Sequence, residues 1–428
     1  MPSRSTSRVI VTEPPTRRDR SREAREQPAG LARHGRLPRA AAWKTVLGLI
    51  AGALAVVLVA AVSVVGIAAY QLGRELADNS VTINPTEAPV PEIGAYEGGF
   101  NILVVGSDAY WDREGARNDV NIVVHISADH TSAVAVSIPR DLVVPFPSCT
   151  DPATGKTSSP MAGQPINSAL LYGGLSCAVT VVRSVTGLEI QYAGMITFDG
   201  VAAMSDAVGG VDVCVTDRIV DKDAGLEIEA GTHTLQGRQA LAFLRARKHV
   251  GDGSDLTRIS SQQVFLSALL RKLKSEDTLT DVVKLIGLTK TAAANMQLST
   301  ELTQPATVVA MAKALNKIPM DRITFVQYPG STGGSGMYAG KVQPKQQLAD
   351  QLFAAIAADQ PIGVEKVGDG NGSVVDPNAP VPAPSETPAT PDPSTSATPE
   401  PVLPDKVVIS GINGQSAADY TCTRAYHF

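Results

Sequence analysis

Ser137-Ile138-Pro139-Arg140-Asp141 ends an apolar run in an arginine and an acid, and two other charged stretches share its character. The segment GSDAYWDREGARND, from Gly106 to Asp119, holds acids at Asp108 and Asp119. The segment FLRARKHVGDGSDLTRISSQQ, from Phe243 to Gln263, holds Arg245, Arg247 and Arg258. Each lies beside an apolar run, so each charge falls near the end of a strand or helix. Two carboxylates plus substrate phosphates are how Mg²⁺ is usually held. Arginine forks match phosphate oxygens in pairs and stay charged at any working pH. Together these residue types suit a bound polyphosphate with a divalent metal.

Spacing refines the picture. Asp108 follows a strand-like run and Gly106-Ser107, a placement where backbone can approach a ligand closely. Asp119 opens the next run after a ten-residue loop, so the two acids share one edge of neighbouring strands and can converge on a cation. Arg245 and Arg247, two apart, cannot share a helix face; they converge only where the helix QGRQALAFLR ends and the chain extends. Arg258 and Gln262, four apart, do share a face, and the amide suits a hydroxyl or phosphate oxygen beside the guanidinium. Singly, these groups read as a surface pair, a helix C-terminal charge or a solvated face. No GxSxG elbow, HExxH pair or P-loop competes, and STGGSGMYAGK, lacking the P-loop ending, reads as a loop.

The elements that must position these groups are legible as apolar patterns. FNILVVG, DVNIVVHIS and SAVAVSIP read as strands buried on both faces, and strand-like segments recur at Gln191–Thr197, Val211–Thr216 and Arg322–Gln327. Helical spacing appears over Ile166–Val185, Leu235–Arg245, Leu256–Leu273 and Thr303–Leu315. Ser254 or Asp255 can cap the third of these. The mix predicts an α/β sandwich with a central mixed sheet flanked by helices over residues 99–363. Aromatics make up only 4 %, so Val, Leu, Ile and Ala must fill the core.

From Thr45 to Leu72 the chain has no charge over 28 residues, enough to cross a bilayer with some tilt. Before it, residues 1–44 hold ten arginines, Lys44 and four acids, a net of +7; the whole chain is −5, so the remainder carries −12. A basic flank predicts a cytoplasmic N-terminus and an exported domain. Trp43 and Tyr70 sit where an aromatic belt would place them. The run exceeds the apolar region of a cleaved signal, so an uncleaved anchor is expected. The leader reads as disordered and membrane-orienting rather than as a nucleic-acid arm. A polar stalk follows over residues 73–98. Residues 364–404 read as a linker, with ten prolines between Val374 and Pro404, and 405–428 as a short tail too small to fold alone.

All four cysteines, Cys149, Cys177, Cys214 and Cys422, follow the span, and an even exported count permits two disulfides. Three pairings are open. Proximity in sequence favours Cys149 with Cys177, a loop of about 29 residues worth roughly 3.5 kcal/mol in the chain-entropy model. Cys214 would then pair with Cys422 and tie the tail back.

In order along the chain, NILVVGSD, the Arg117/Asp119 element, SIPRD, INSAL, DAVGGVDV, AGTHTLQGRQALAFLRAR and DLTRISSQQ resemble the LytR-CpsA-Psr family of cell-envelope enzymes. The resemblance covers roughly Phe100 to Leu273 and weakens toward Ala358. It implies a phosphotransferase that moves a glycopolymer from a polyprenyl-pyrophosphate carrier onto peptidoglycan, with Mg²⁺ (or Mn²⁺), at the outer face of the membrane. Carried over by position, Asp108 and Asp119 would serve the metal. Arg117, Arg140, Arg245, Arg247 and Arg258 would hold the pyrophosphate, and Gln262 would contact the head group. Asp141 is placed to be the base or a partner of Arg140. Two positions depart from the family pattern: Asn118 stands where Ser or Thr is common, and Ser261 where many relatives have another arginine. A lipid-pyrophosphate hydrolase and a non-catalytic glycan-binding or regulatory envelope protein are the alternative readings.

Overall fold

Alternation of apolar side chains builds the central sheet. In the computed structural model, which describes residues 42–78, 80–83, 99–108, 115–152, 154–275, 278–279, 281–380 and 403–426, three strands form its middle. These are β2 (Phe100–Ser107), β3 (Asn118–Ile126) and β4 (Ala133–Ile138), following the short β1 (Ser80–Val81). On β4, Val134, Val136 and Ile138 enter one core while Ala133 and Ala135 enter the other, the period of two that a strand imposes. The first core is closed by α2 (Ala169–Thr186) and the second helix over it, near the C-terminal end of the domain.

After α2, whose end is capped by Gly187 in the left-handed conformation, come β5 (Tyr192–Thr197) and α3 (Phe198–Ala207). The chain continues through β6 (Val211–Val215), β7 (Gly231–Leu235), α4 (Gly237–Arg245), α5 (Asp255–Ser275) and α6 (Val282–Asn295). Then follow β8 (Met296–Ser299), α7 (Pro305–Lys317), β9 (Ile323–Gln327), α8 (Gln346–Ala357), β10 (Ser373–Val375), β11 (Gly414–Ser416) and β12 (Thr421–Thr423). The central sheet has eight strands in the order β1-β8-β5-β2-β3-β4-β9-β11. Pairs β1/β8, β2/β5 and β4/β9 are parallel, and the others are antiparallel. Helices α2 and α8 cover one face through Val179, Val182, Leu352 and Ile356; α5, α6 and α7 cover the other through Leu270, Ala293 and Leu315. The expected α/β sandwich with a mixed sheet is thus the observed one.

A second sheet, β7-β6-β12-β10, packs Val211, Val213 and Leu235 against Phe243 of α4 and Phe265 of α5. Both disulfides are those that proximity favours: Cys149–Cys177, and Cys214–Cys422 between registered residues of the parallel pair β6/β12.

Three boundaries differ from the sequence reading. The apolar run lies in α1 (Ala42–Asp78), 37 residues or about 55 Å long, which continues six residues past Leu72. Its described apolar side chains, such as Leu49 and Val56, are exposed, as a lipid-facing surface would be. The stretch assigned to a stalk contributes β1 to the central sheet, because Ser80 and Val81 find an open edge at β8. The stretch assigned to a linker contributes β10 to the second sheet, and Asp369 caps a turn by accepting from the backbone of Asn371, Gly372 and Ser373. The leader 1–41, residues 84–98 and the Pro-rich 381–402 lie outside the described residues.

Candidate active site

Three adjacent strands bring the first carboxylates and arginine together. β2 and β3 are antiparallel with a register shift at Gly106/Ser107, so Asp108, just past β2, comes beside Arg117 and Asp119 at the start of β3. Asp108 N–H donates to the Arg117 carbonyl (3.0 Å), and Arg117 N–H donates to Asp108 Oδ1 (2.7 Å). A side chain at Gly106 would meet Val120 Cβ at 2.9 Å, so this approach needs a glycine. β4 runs antiparallel to β3, so Arg140 beyond its end reaches back to Asp119 and donates from Nη1 to Oδ1 at 2.9 Å.

Asp141 gathers the remaining cations. Lys341 donates to its Oδ1 at 2.7 Å, and Arg247 Nη1 and Arg140 Nε lie 3.8 and 3.9 Å from its Oδ2. Arg245 is the last residue of α4, and Ala246 is extended (ψ 130°), which turns Arg247 toward the same cleft as its neighbour but one. The Arg245 guanidinium stacks on Phe198, 4.5 Å from the ring centroid. Arg247 is tied at Nε to the Gly253 carbonyl (3.1 Å) and through its backbone N–H to Asp221 (3.0 Å).

These groups line a polar cleft of about 680 Å³: Asp108, Arg117, Asp119, Arg140, Asp141, Asn167, Arg245, Arg247 and Lys341, with Phe198 and two glycines. Five cations face three carboxylates, an excess of two positive charges that favours an anion. Burial works against the charge on Arg140, but Asp119, Asp255 and Asp141 outweigh it and raise its pKa above the ordinary arginine value.

Arg258 and Gln262 stand elsewhere. Arg258 is 5 % exposed, donates to the Asp119 carbonyl at 2.9 Å and pairs with Asp255 at 2.6 Å. Burial lowers its pKa, with Asp255 offsetting part of that. Gln262 donates to the Leu244 carbonyl at 2.9 Å. Both belong to the wall of a second, apolar cavity of about 340 Å³. It follows α5 through Leu266, Leu269 and Leu273 and is closed by Ile122 of β3, Met204 of α3 and Leu288 of α6. Asp119, Phe198 and Arg245 line both spaces, so a charged cleft and an apolar cavity share one wall.

The two departures noted in the sequence have structural roles. The Asn118 amide donates to the Ile166 carbonyl (2.9 Å) and accepts from Leu170 N–H (3.3 Å), holding β3 to the start of α2. Ser261 shares a 3.0 Å hydrogen bond with Thr423 of β12. Sequence reasoning missed Lys341, Asn167, Phe198, Asp221 and the role of Asp255 beside Arg140 (3.7 Å). The sequence held two signals for them: the i, i+3 spacing of Asp255 and Arg258, and the place of Asn167 within INSAL.

Asp221 carries a prediction. Burial pushes its carboxyl up, but backbone N–H bonds from Arg247, Ala224 and Asp223, with His249 nearby, hold it below the ordinary 3.8. A depressed folded pKa means a stabilising contribution that is complete above the unfolded value and lost as pH falls through the folded one. Asp221→Ala should therefore lower stability by about 1–3 kcal/mol at neutral pH. The gap to wild type should close in strong acid, as denaturant unfolding at the two pH values would reveal.

The LytR_cpsA_psr family model matches residues 64–355, more than half of the chain. The chain belongs to the LytR-CpsA-Psr family. It is 26 % identical over 320 residues to the polyisoprenyl-teichoic acid–peptidoglycan teichoic acid transferase TagT of Bacillus subtilis, covering 71 % of this chain and 92 % of that one. It is 26 % identical over 281 residues to the cell wall biosynthesis protein LcpA of Corynebacterium glutamicum, and 32 % over 274 to the probable cell wall biosynthesis protein LcpB. These matches span 58 % and 60 % of this chain, and 53 % and 60 % of those relatives. Among solved structures, protein gbs0355 of Streptococcus agalactiae shares the fold at a TM-score of 0.50 and 22 % identity, over 61 % of this chain and 89 % of that one. The LytR-CpsA-Psr match ends before β10, β11 and β12, so the tail strands lie outside it.

Proposed function

We propose that this protein is a membrane-anchored phosphotransferase that moves a glycopolymer from a polyprenyl-pyrophosphate carrier onto peptidoglycan during cell-wall assembly. The observation that carries this reading is the wall shared by the cationic cleft and the apolar cavity. A ligand with a diphosphate joined to a long hydrocarbon has that same division, and a nucleotide does not. TagT, similar over most of its length, is named for transfer of a polyisoprenyl-linked polymer to peptidoglycan, and a solved TagT is described as bound to LI-WTA.

In this reading an acceptor hydroxyl attacks the polymer-side phosphorus. A new P–O bond forms, the bond to the bridging oxygen breaks, and polyprenyl phosphate leaves. The hydroxyl proton passes to Asp141. Arg117, Arg140, Arg245, Arg247 and Lys341 hold the equatorial and leaving oxygens, where stabilising spread charge is the main catalytic task. Arg258 and Gln262 act from behind, by holding Asp119 and the end of α4.

The donor set fits Mg²⁺. Asp108 and Asp119 offer hard oxygens, and Arg140 engages only one oxygen of Asp119. An ion held there would complete its shell with water and substrate phosphate. Bound there, Mg²⁺ would neutralise charge on the diphosphate. The basic leader and the apolar run support an N-terminus in the cytoplasm and a cleft outside the membrane.

The test uses the full chain in vesicles with a polyprenyl-pyrophosphate glycan, Mg²⁺ and peptidoglycan fragments. Polymer attached to peptidoglycan supports transfer; free glycan phosphate would make the protein a hydrolase, and no turnover a binder. Chelation should abolish transfer, and Asp108→Ala or Asp119→Ala should raise the Mg²⁺ requirement by about tenfold or more. Transfer at full rate in chelator would remove the metal from the proposal.

A further inference from the structure

Helix α6 has two unlike edges. Leu288, with Met296 just after the helix, walls the apolar cavity. On the other edge Val283 is 80 % exposed and Ile286 43 %, with Lys290 exposed beside them; Lys284, four residues before Leu288, lies toward the cavity side. Outside α1, Val283 is the most exposed large apolar side chain among the described residues. The helix carries two lysines and no acid.

Its place in the fold supplies a second argument. α6 runs directly into β8, and Leu298 of β8 pairs with Ser80 of β1. Ser80 is eight positions after Leu72, the end of the uncharged run. β1, the first strand after the apolar run, therefore lies beside the strand that follows α6.

We propose that the exposed edge of α6 docks on the outer leaflet of the membrane, with Val283 and Ile286 among the upper acyl chains and Lys290 at anionic headgroups. This rests on the reading above in one respect: a polyprenyl chain insoluble in water must pass from the bilayer into the cavity. A helix with the cavity on one side and lipid on the other shortens that passage. Apolar residues with a lysine beside them are the composition of a helix that lies in the interface.

The full chain, reconstituted in vesicles of phosphatidylcholine and phosphatidylglycerol with brominated acyl chains, provides the test. Tryptophan is introduced at Val283, or as a control at Val375, which is exposed on β10. After subtraction of the wild-type signal, Val283→Trp should be quenched at least ~twofold more than Val375→Trp, because bromine quenches only at acyl depth. Equal quenching of the two overturns the docking.

A second arm uses Val283→Asp with Ile286→Asp. Transfer from a membrane-embedded long-chain donor should fall by about tenfold, as two apolar anchors are lost. Transfer from a short-chain, water-soluble donor should be unchanged. Equal losses on both donors would overturn the delivery role. If wild type turns over neither donor, the proposed transfer fails while the quenching result still decides whether α6 meets the membrane.

Discussion

Arg140→Lys should lower glycopolymer transfer by roughly 10- to 150-fold, the range that follows from losing one charged hydrogen bond of about 1.5–3 kcal/mol. Arg140 is the residue on which three carboxylates converge: Asp119 at 2.9 Å, Asp255 at 3.7 Å and Asp141 at 3.9 Å. Lysine keeps the charge but offers a single ammonium where a planar fork now serves several oxygens. It cannot hold Asp119 in place and also grip a phosphate.

Stability should respond less than activity in this variant, because the charge is retained. Arg140→Ala is different. It leaves Asp119 without its partner and Asp255, 2 % exposed and without a well-aligned hydrogen bond, balanced by Arg258 alone. Breaking a buried pair costs roughly 3–5 kcal/mol; with the Arg140 side chain 24 % exposed, a loss nearer ~2 kcal/mol is expected. Transfer and thermal unfolding measured on both variants would separate the roles. Near-normal transfer by Arg140→Lys would reduce the clamp to a diffuse positive patch.

That Asp108, Asp119 and Arg140 share one cleft was legible from sequence for a simple reason. Asp108, Asp119 and Arg140 stand at the ends of three consecutive strands, and strands joined by short connections pair with their neighbours. Val- and Ile-rich runs fix where such strands stop, and hence where the charged residues sit. Lys341 had no such signal: it lies 200 positions from Asp141, in a glycine-rich loop whose path is set by pairing with Val143 and Leu142. Gln262 shows the opposite error. Its helix face was read correctly, but the groups it meets depend on where α4 ends, and there the Leu244 carbonyl takes its amide.

The least legible part of the fold is the tail. GQS and TCT, the cores of β11 and β12, have no apolar alternation, so no period of two marks them as strands. Their strand character comes from their partners. β12 lies between β6 and β10, joined to β6 through Cys214–Cys422, and Thr421 and Thr423 are buried at 3 % and 0 % exposure. Gln415 of β11 is fully buried and donates to Ser267 Oγ (2.7 Å) and the Gln263 carbonyl (3.2 Å). Small residues on α5, Ser261 and Ser267, make room for these strands, which gives Ser261 a reason to differ from an arginine.

Deleting residues 405–428 should therefore prevent the domain from folding, although the deletion begins 50 residues beyond the family match. It would remove the inner strand of the second sheet, expose the backbone of β6 and β10, and strip partners from buried donors. Among these, Arg271 donates to the Ala417 and Asp419 carbonyls (2.9 and 2.8 Å) and stacks on Tyr420. Burial lowers the pKa of Arg271 against the opposing effect of Tyr420 and Asp419, so losing these neighbours would leave a half-buried guanidinium uncompensated. Replacing Cys214 and Cys422 by serine isolates the covalent part. Removing a native disulfide costs roughly 2–5 kcal/mol, a fall in Tm of about 5–15 °C for a domain this large, and the fold should persist at low temperature. Thermal unfolding of the two variants decides between a tail that is part of the core and one merely fastened to it. Folding of the truncated chain with no greater loss than the double serine variant would show that β11 and β12 contribute nothing beyond the bond that holds them.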